Sequence, residues 1–260
     1  MRTLIATIVL LFLCTTAEAV APGDRLHHGI VPRGSAGFFI ESEEDTYMIT
    51  AAHIAAGWKS DIEPRGPWYV DGVAIGEFDR WLPWSGYNSK DVMALRIYSG
   101  VEVSNKIDGI QPLGFARQVQ GMAVVQRGRD ESPQHGTAHR LPLTGINCNF
   151  NLPGVEPGHS GSAVLSVDPP GVLGIVRSTA GSLVFGVQAR WAVEALGFED
   201  YRLIGGLQEN SITIGDAVIC IDYIRQHREV ALLQINEALP GDISVYLPCG
   251  FLWTTAGSES

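Results

Sequence analysis

The chain has 260 residues, a formal net charge of −10 at pH 7, 45% hydrophobic residues and no cluster of lysine and arginine. That balance offers no stripe to track phosphates, which excludes nucleic acid and anionic membrane surfaces as expected partners. The length suits one good core, or one core with a small satellite, and no stretch beyond residue 19 is long and apolar enough to cross a bilayer.

Residues 1–19 read as an export signal. Met1-Arg2-Thr3 is a short basic start, Leu4 to Leu13 is apolar, and Ala17-Glu18-Ala19 supplies the small-x-small cleavage pattern. Cleavage after Ala19 would leave Val20 first and place the mature protein outside the cytoplasm, secreted or periplasmic. Cys148, Cys220 and Cys249 would remain. An odd count allows at most one bridge and one free thiol. Cys220 and Cys249 bracket a stretch in a tail too small to hold itself together by burial, so they are the expected pair and Cys148 the expected thiol. No Asn-x-Ser/Thr acceptor occurs.

A Pro/Gly/His-rich lead-in at 21–35, expected to be flexible and irregular and with His27-His28 given no role, precedes a run of short strand candidates. Ala36–Ile40 and Tyr47–Ala51 are apolar and joined by the acidic stretch 41–45, which reads as a hairpin. Trp68–Ile75, Val92–Tyr98, Met122–Gln126, Ala163–Val167 and Val172–Val176 follow as strands. His135 to His139 has metal-like spacing, but it lacks a third ligand and is expected to be a solvated loop. Only Arg190–Leu196 reads as helix in the first two hundred residues. Short strands with many glycines and little helix argue for an all-β barrel or sandwich. The character shifts near residue 200. Residues 201–260, with strand-like Ala217–Ile221 and Asp242–Leu247 and an ambiguous run at Glu229–Leu239, are expected to form a small C-terminal extension.

Three sites carry candidate chemistry. In Glu156-Pro-Gly-His-Ser-Gly-Ser-Ala-Val164, Gly158 and Gly161 bracket His159-Ser160. The glycines permit unusual backbone angles, and Ser160 is either a turn residue or a nucleophile. A nucleophilic serine needs a base, and the base an orienting carboxylate. Thr50-Ala-Ala-His53 ends a strand in small residues and a histidine. Lys90-Asp91-Val-Met-Ala-Leu95 opens an apolar run with an aspartate, where partial burial can hold an imidazole tautomer; Asp79 is the substitute acid.

These blocks, in the order His53, Asp91, Ser160, resemble the signature segments of chymotrypsin-like (trypsin-fold) serine proteases. Gly174-Ile-Val176 and Gly186-Val-Gln-Ala189 are similar to the strand pair lining that family's cleft, and the helix at Trp191 to its closing helix. The resemblance covers residues 30–200. It implies two antiparallel six-stranded β-barrels with a short C-terminal helix, in a domain at residues 20–200. It also implies a secreted serine endopeptidase acting on protein or peptide substrates, with no metal or cofactor. Ser160 would be the nucleophile, His53 the base and Asp91 its orienting acid, with the N–H groups of Gly158 and Ser160 as the oxyanion hole. Gly154, Val176, Arg177 and Ser178 would line the substrate site. The chain order opposes the α/β-hydrolase alternative, in which serine comes first.

Departures refine the expectation. Gly154 stands where relatives that cleave after basic residues carry an aspartate, so trypsin-like specificity is not expected. Arg177 stands where a small residue is usual, either to meet an acidic substrate group or to face solvent. Ile54 replaces the usual cysteine. His159 replaces the aspartate that pairs with a freed N-terminus in zymogen-type members, and Pro32 stands where those have glycine. An oxyanion loop formed without N-terminal processing beyond signal removal is therefore expected. The alternatives are an inactive protease-fold binding module and an extension that binds a partner or covers the cleft.

Overall fold

A computed structural model describes residues 19–29, 31–42, 45–56, 65–83, 90–129, 131–139, 146–206, 211–214 and 217–220. In chain order the first half holds strands β1 (Arg25–His28), β2 (Val31–Ser35), β3 (Phe38–Ser42) and β4 (Asp45–Thr50), then the short helix α1 (His53–Ala56). Strands β5 (Pro67–Val70), β6 (Val73–Leu82) and β7 (Val92–Ile97) complete it. The second half holds β8 (Ala123–Gln126), β9 (Gln134–Ala138), β10 (Asn147–Asn151), β11 (Ala163–Ser166), β12 (Gly171–Ala180) and β13 (Leu183–Gln188), closed by helix α2 (Ala189–Ala195). Then come β14 (Tyr201–Leu203), β15 (Ser211–Ile214) and β16 (Ala217–Cys220).

The second half is a closed barrel in the order β10-β13-β12-β11-β8-β9, and the first is an eight-stranded sheet in the order β14-β3-β4-β7-β6-β5-β1-β2. The hairpin expected from the two apolar runs is β3–β4, paired from Phe38↔Ile49 to Ser42↔Asp45. Tyr201–Leu203, the first residues of the expected extension, add the edge strand β14 against Ile40–Ser42.

Successive strand residues point to opposite faces, and here both faces are buried. Phe39, Met48, Met93 and Leu95 pack inside the first half with Leu26, Trp68 and Ile75. Their neighbours Phe38, Ile40, Ile49, Val92 and Ala94 meet Val125, Ala163, Leu165, Val172, Ile175 and α2 between the halves. Val164 on β11 turns the other way, into the second barrel with Phe150, Leu152 and Leu173. Near-continuous apolar runs in β4, β7 and β11 follow from this double burial. The three candidate segments lie at the ends of these strands.

Three readings are corrected. Trp68–Ile75 is two strands, because Asp71 (φ 49°) and Gly72 (φ 78°) turn the chain between Val70 and Val73. The lead-in is not irregular: it forms β1 and β2, and β1 also pairs with β5, where His28 stacks on Trp68 at 5.1 Å. The stretch from His135 is strand β9, held between β8 and β10, with the His135 ring 3.0 Å from Asp108. No group of three His, Cys, Asp or Glu residues is placed to hold a metal among the described residues. The expected signal segment to residue 18, Glu229–Leu239, Asp242–Leu247 and the Cys220–Cys249 pairing lie outside the described residues and side chains.

Cys148 on β10 is a free, buried thiol, and a Cβ on Gly174 or Gly186 would lie only 2.5 or 2.9 Å from its Sγ. Those glycines make room for the sulfur. Desolvation pushes the Cys148 thiol far above its ordinary value. The sign follows: folding holds the proton, so this contribution is intact below the free-thiol value of about 8.5 and is lost as pH rises above it. Iodoacetamide at neutral pH should leave Cys148 unmodified in folded protein and alkylate it in denaturant. Rapid modification of the folded protein would contradict this placement.

Candidate active site

His53 begins α1, three residues beyond the end of β4, where Ala51 and Ala52 are buried and leave the cleft uncrowded. Asp91 immediately precedes β7, which pairs with β4, so the two residues meet at adjacent strand ends. Asp91 is fully buried, with one carboxylate oxygen accepting from the His53 amide at 2.9 Å and the other lying 2.8 Å from Nδ1. An ionised carboxylate only accepts, so against one Nδ1 would carry the proton and Nε2 would be left as the basic nitrogen. Asp91 adopts φ 37°, a left-handed angle that costs about 1–2 kcal/mol. Its hydrogen bonds to His53 offset that strain. The substitute acid, Asp79, instead bonds the Arg80 guanidinium at 2.5 Å.

Ser160 sits in the loop before β11. Its carbonyl accepts from the Ser35 amide at 2.9 Å, and the Ser35 carbonyl in turn accepts from Thr50 Oγ1 at 3.1 Å. A Cβ on Gly34 would lie 2.7 Å from both Ser160 O and Ile54 Cγ2, and one on Gly161 would lie 2.1 Å from Thr50 Oγ1. The serine loop is thereby pressed against the segment that carries His53. On the opposite side, Ser160 Oγ reaches the Arg177 carbonyl at 3.4 Å.

Gly158 (φ 103°) and Gly161 (φ 93°) take angles that other residues rarely adopt. Between them the amides alternate. Those of His159, Gly161 and Ser162 donate within the protein, to Glu156, Val176 and His159 carbonyls. The amides of Gly158 and Ser160 donate to no described residue. Two neighbouring unengaged donors beside a serine are the arrangement that would meet an oxyanion.

The other candidates divide. Val176 is buried and exchanges backbone hydrogen bonds with Gly161 and Ser162, which fixes β12 against the serine loop. Arg177 is half-buried rather than turned out, and its Nη1 donates to Asn147 Oδ1 at 3.3 Å. Ser178 lies beyond a register shift in β12 opposite Phe185. Gly154 is exposed, with its Cα face against Gln134 on β9.

Sequence reading missed Ser35 and Arg129. The buried Ser35 hydroxyl donates to the Gly158 carbonyl at 3.0 Å and accepts from the Arg129 amide at 3.1 Å. The Arg129 guanidinium covers Gly158, lying about where a Cβ would stand. A small-residue string, Gly34-Ser-Ala-Gly37, opening an apolar strand was the available signal for Ser35. Ser35→Ala strands both partners and should cost about 1–3 kcal/mol. A lower urea midpoint at unchanged m value would show it, and an unchanged midpoint would contradict it.

No protein-family model matches the chain, and no curated protein matches it in sequence. Solved structures do. A glutamic acid-specific serine protease, described as using a histidine triad in substrate binding, aligns at TM-score 0.56 and 17% identity, over 71% of this chain and 100% of that one. Cellulomonas bogoriensis chymotrypsin aligns at TM-score 0.53 and 21% identity, over 72% and 99% of the two chains. Thermobifida fusca protease A gives 0.53 and 18%, over 71% and 98%. The chain has the chymotrypsin-like fold, as its motifs implied. At these identities the likeness speaks for architecture, and the roles of individual side chains belong to the geometry above.

Proposed function

We propose that the protein is a serine endopeptidase acting through His53, Asp91 and Ser160. One observation carries the reading: a buried carboxylate bonded to both the amide and Nδ1 of His53, beside a serine loop with two unengaged amides. In this scheme Ser160 Oγ attacks the scissile carbonyl carbon as its proton passes to His53 Nε2. Charge on the carbonyl oxygen is met by the N–H groups of Gly158 and Ser160. The amine leaves with the proton from His53, and water, deprotonated by the same nitrogen, releases the acyl group from Ser160.

Val176, Arg177 and Ser178 on β12 would align the substrate backbone. Gly154 brings no carboxylate, so cleavage after lysine or arginine is not proposed. Export follows from the signal-like residues 1–19, and no described helix is long and apolar enough to cross a membrane. Glu131 and Gly128, and no amine, face the buried His159 ring among the described residues. That supports an oxyanion loop formed without further N-terminal processing. Residues 201–260 remain a proposed extension that binds a partner or covers the cleft.

The test is digestion of a diverse peptide library by the chain starting at Val20, with new termini mapped by mass spectrometry. Internal cleavages that vanish in Ser160→Ala are expected. A library left intact, alongside correctly folded protein, favours the binding-module alternative.

A further inference from the structure

His159 precedes Ser160, and its side chain is fully buried. Among the described residues neither ring nitrogen has a hydrogen-bond partner of good geometry, a costly state for a polar group out of water. Among the described residues one carboxylate reaches it: Glu131 Oε2 lies 3.2 Å from Nε2, out of line for a hydrogen bond, and the Glu131 side chain is 45% exposed. A carboxylate attracts that nitrogen whenever it bears a proton, in the neutral tautomer or the imidazolium. The ring also packs on Gly128, where a Cβ would lie 2.6 Å from His159 Cγ.

Gly128, Arg129 and Glu131 therefore grip the serine loop at several points. Gly128 lies against the His159 ring and Arg129 covers Gly158. The Arg129 amide shares the Ser35 hydroxyl with the Gly158 carbonyl, and Glu131, tied to the Gly128 carbonyl through its amide at 3.0 Å, reaches the imidazole. Each contact but the last is made by backbone or packing. Glu131 supplies charge.

We propose that Glu131 and His159 are a positioning pair for the loop that carries the Gly158 and Ser160 amides. The carboxylate sets the ring, and the peptide unit joining His159 to Ser160 turns with it, so the direction of the Ser160 N–H depends on a side chain that touches no substrate. This rests on the peptidase reading above for its consequence in turnover, though not for its consequence in geometry.

Glu131 is half-exposed, so its variants should fold. In the full mature chain, Glu131→Ala and Glu131→Gln should each lower kcat, counted per phosphonate-titrated active site, by about tenfold, a part of the loss seen on deleting an oxyanion donor. KM should change by less than about twofold, as for an interaction made only in the transition state. Glu131→Asp should recover most of the loss. Independently of activity, the amide ¹H–¹⁵N signals of Gly158 and Ser160 should shift in Glu131→Ala while that of Leu26, inside the first half, stays. Unchanged kcat, a loss confined to KM, or unmoved Gly158 and Ser160 amides would each overturn the pair. A wild-type protein without turnover or phosphonate uptake refutes the peptidase reading instead, and the amide shifts then decide the positioning role alone.

Discussion

Ser160→Ala should lower kcat on any peptide substrate by about 10⁶, the scale seen when the nucleophile of such a triad is removed. The size follows from what is lost. Without Oγ there is no acyl-enzyme, and His53 has no proton to take, so orientation of the base by Asp91 serves nothing. What remains is substrate binding and two amides able to polarise a carbonyl, which leaves a residual rate above water. The fold should not suffer, because among the described residues Ser160 Oγ makes a single long hydrogen bond, 3.4 Å to the Arg177 carbonyl. Equal unfolding midpoints for variant and parent would separate lost chemistry from lost structure. Hydrolysis persisting in carefully purified Ser160→Ala would contradict the assignment.

Asp91→Asn should cost about 10⁴ in kcat. The carboxylate accepts both from the His53 amide and at Nδ1, so it selects the tautomer with the proton on Nδ1. An asparagine of the same shape offers only one acceptor oxygen. If that oxygen keeps the amide, the NH₂ group faces Nδ1 as a donor. The ring then moves its proton to Nε2, where it cannot take another from Ser160. Geometry would survive while basicity points the wrong way. Some fold stability should go too, since the strained Asp91 backbone loses part of what holds it. Asp79→Asn is the control: bonded to Arg80, it should leave turnover nearly unchanged. A greater loss from Asp79 than from Asp91 would mean that the acid is misassigned.

The legible parts of this protein are those in which chemistry or burial is written in consecutive residues. Phe38–Ile40 and Tyr47–Thr50 are buried on alternating faces toward two different cores, so each reads as a plain apolar run. His53, Asp91 and Ser160 are recognisable because each lies where small or turn residues meet such a run. Strand β9 is the opposite case. Gln134-His-Gly-Thr-Ala138 has little strand propensity, and pairing on both sides makes it a strand. The Asp71-Gly72 turn was present as a hairpin signal, but continuous apolar flanks masked the break. Arg129 and Glu131 carried no local signal, and Ser35 only that of the small residues around it. Ser35 reaches the Gly158–Ser160 loop from the first half, and Arg129 and Glu131 reach it from before β9 in the second, so only the folded chain brings them together.

The most direct measurement is mass spectrometry of the mature protein after reaction with an organophosphonate serine probe, followed by peptide mapping. One adduct, on Ser160, suppressed in His53→Ala, is the expected result. It requires a serine made nucleophilic by its base, which neither a turn residue nor an inactive binding module provides. No adduct on the folded protein, or an adduct on another serine with Ser160 unmodified, would contradict the triad.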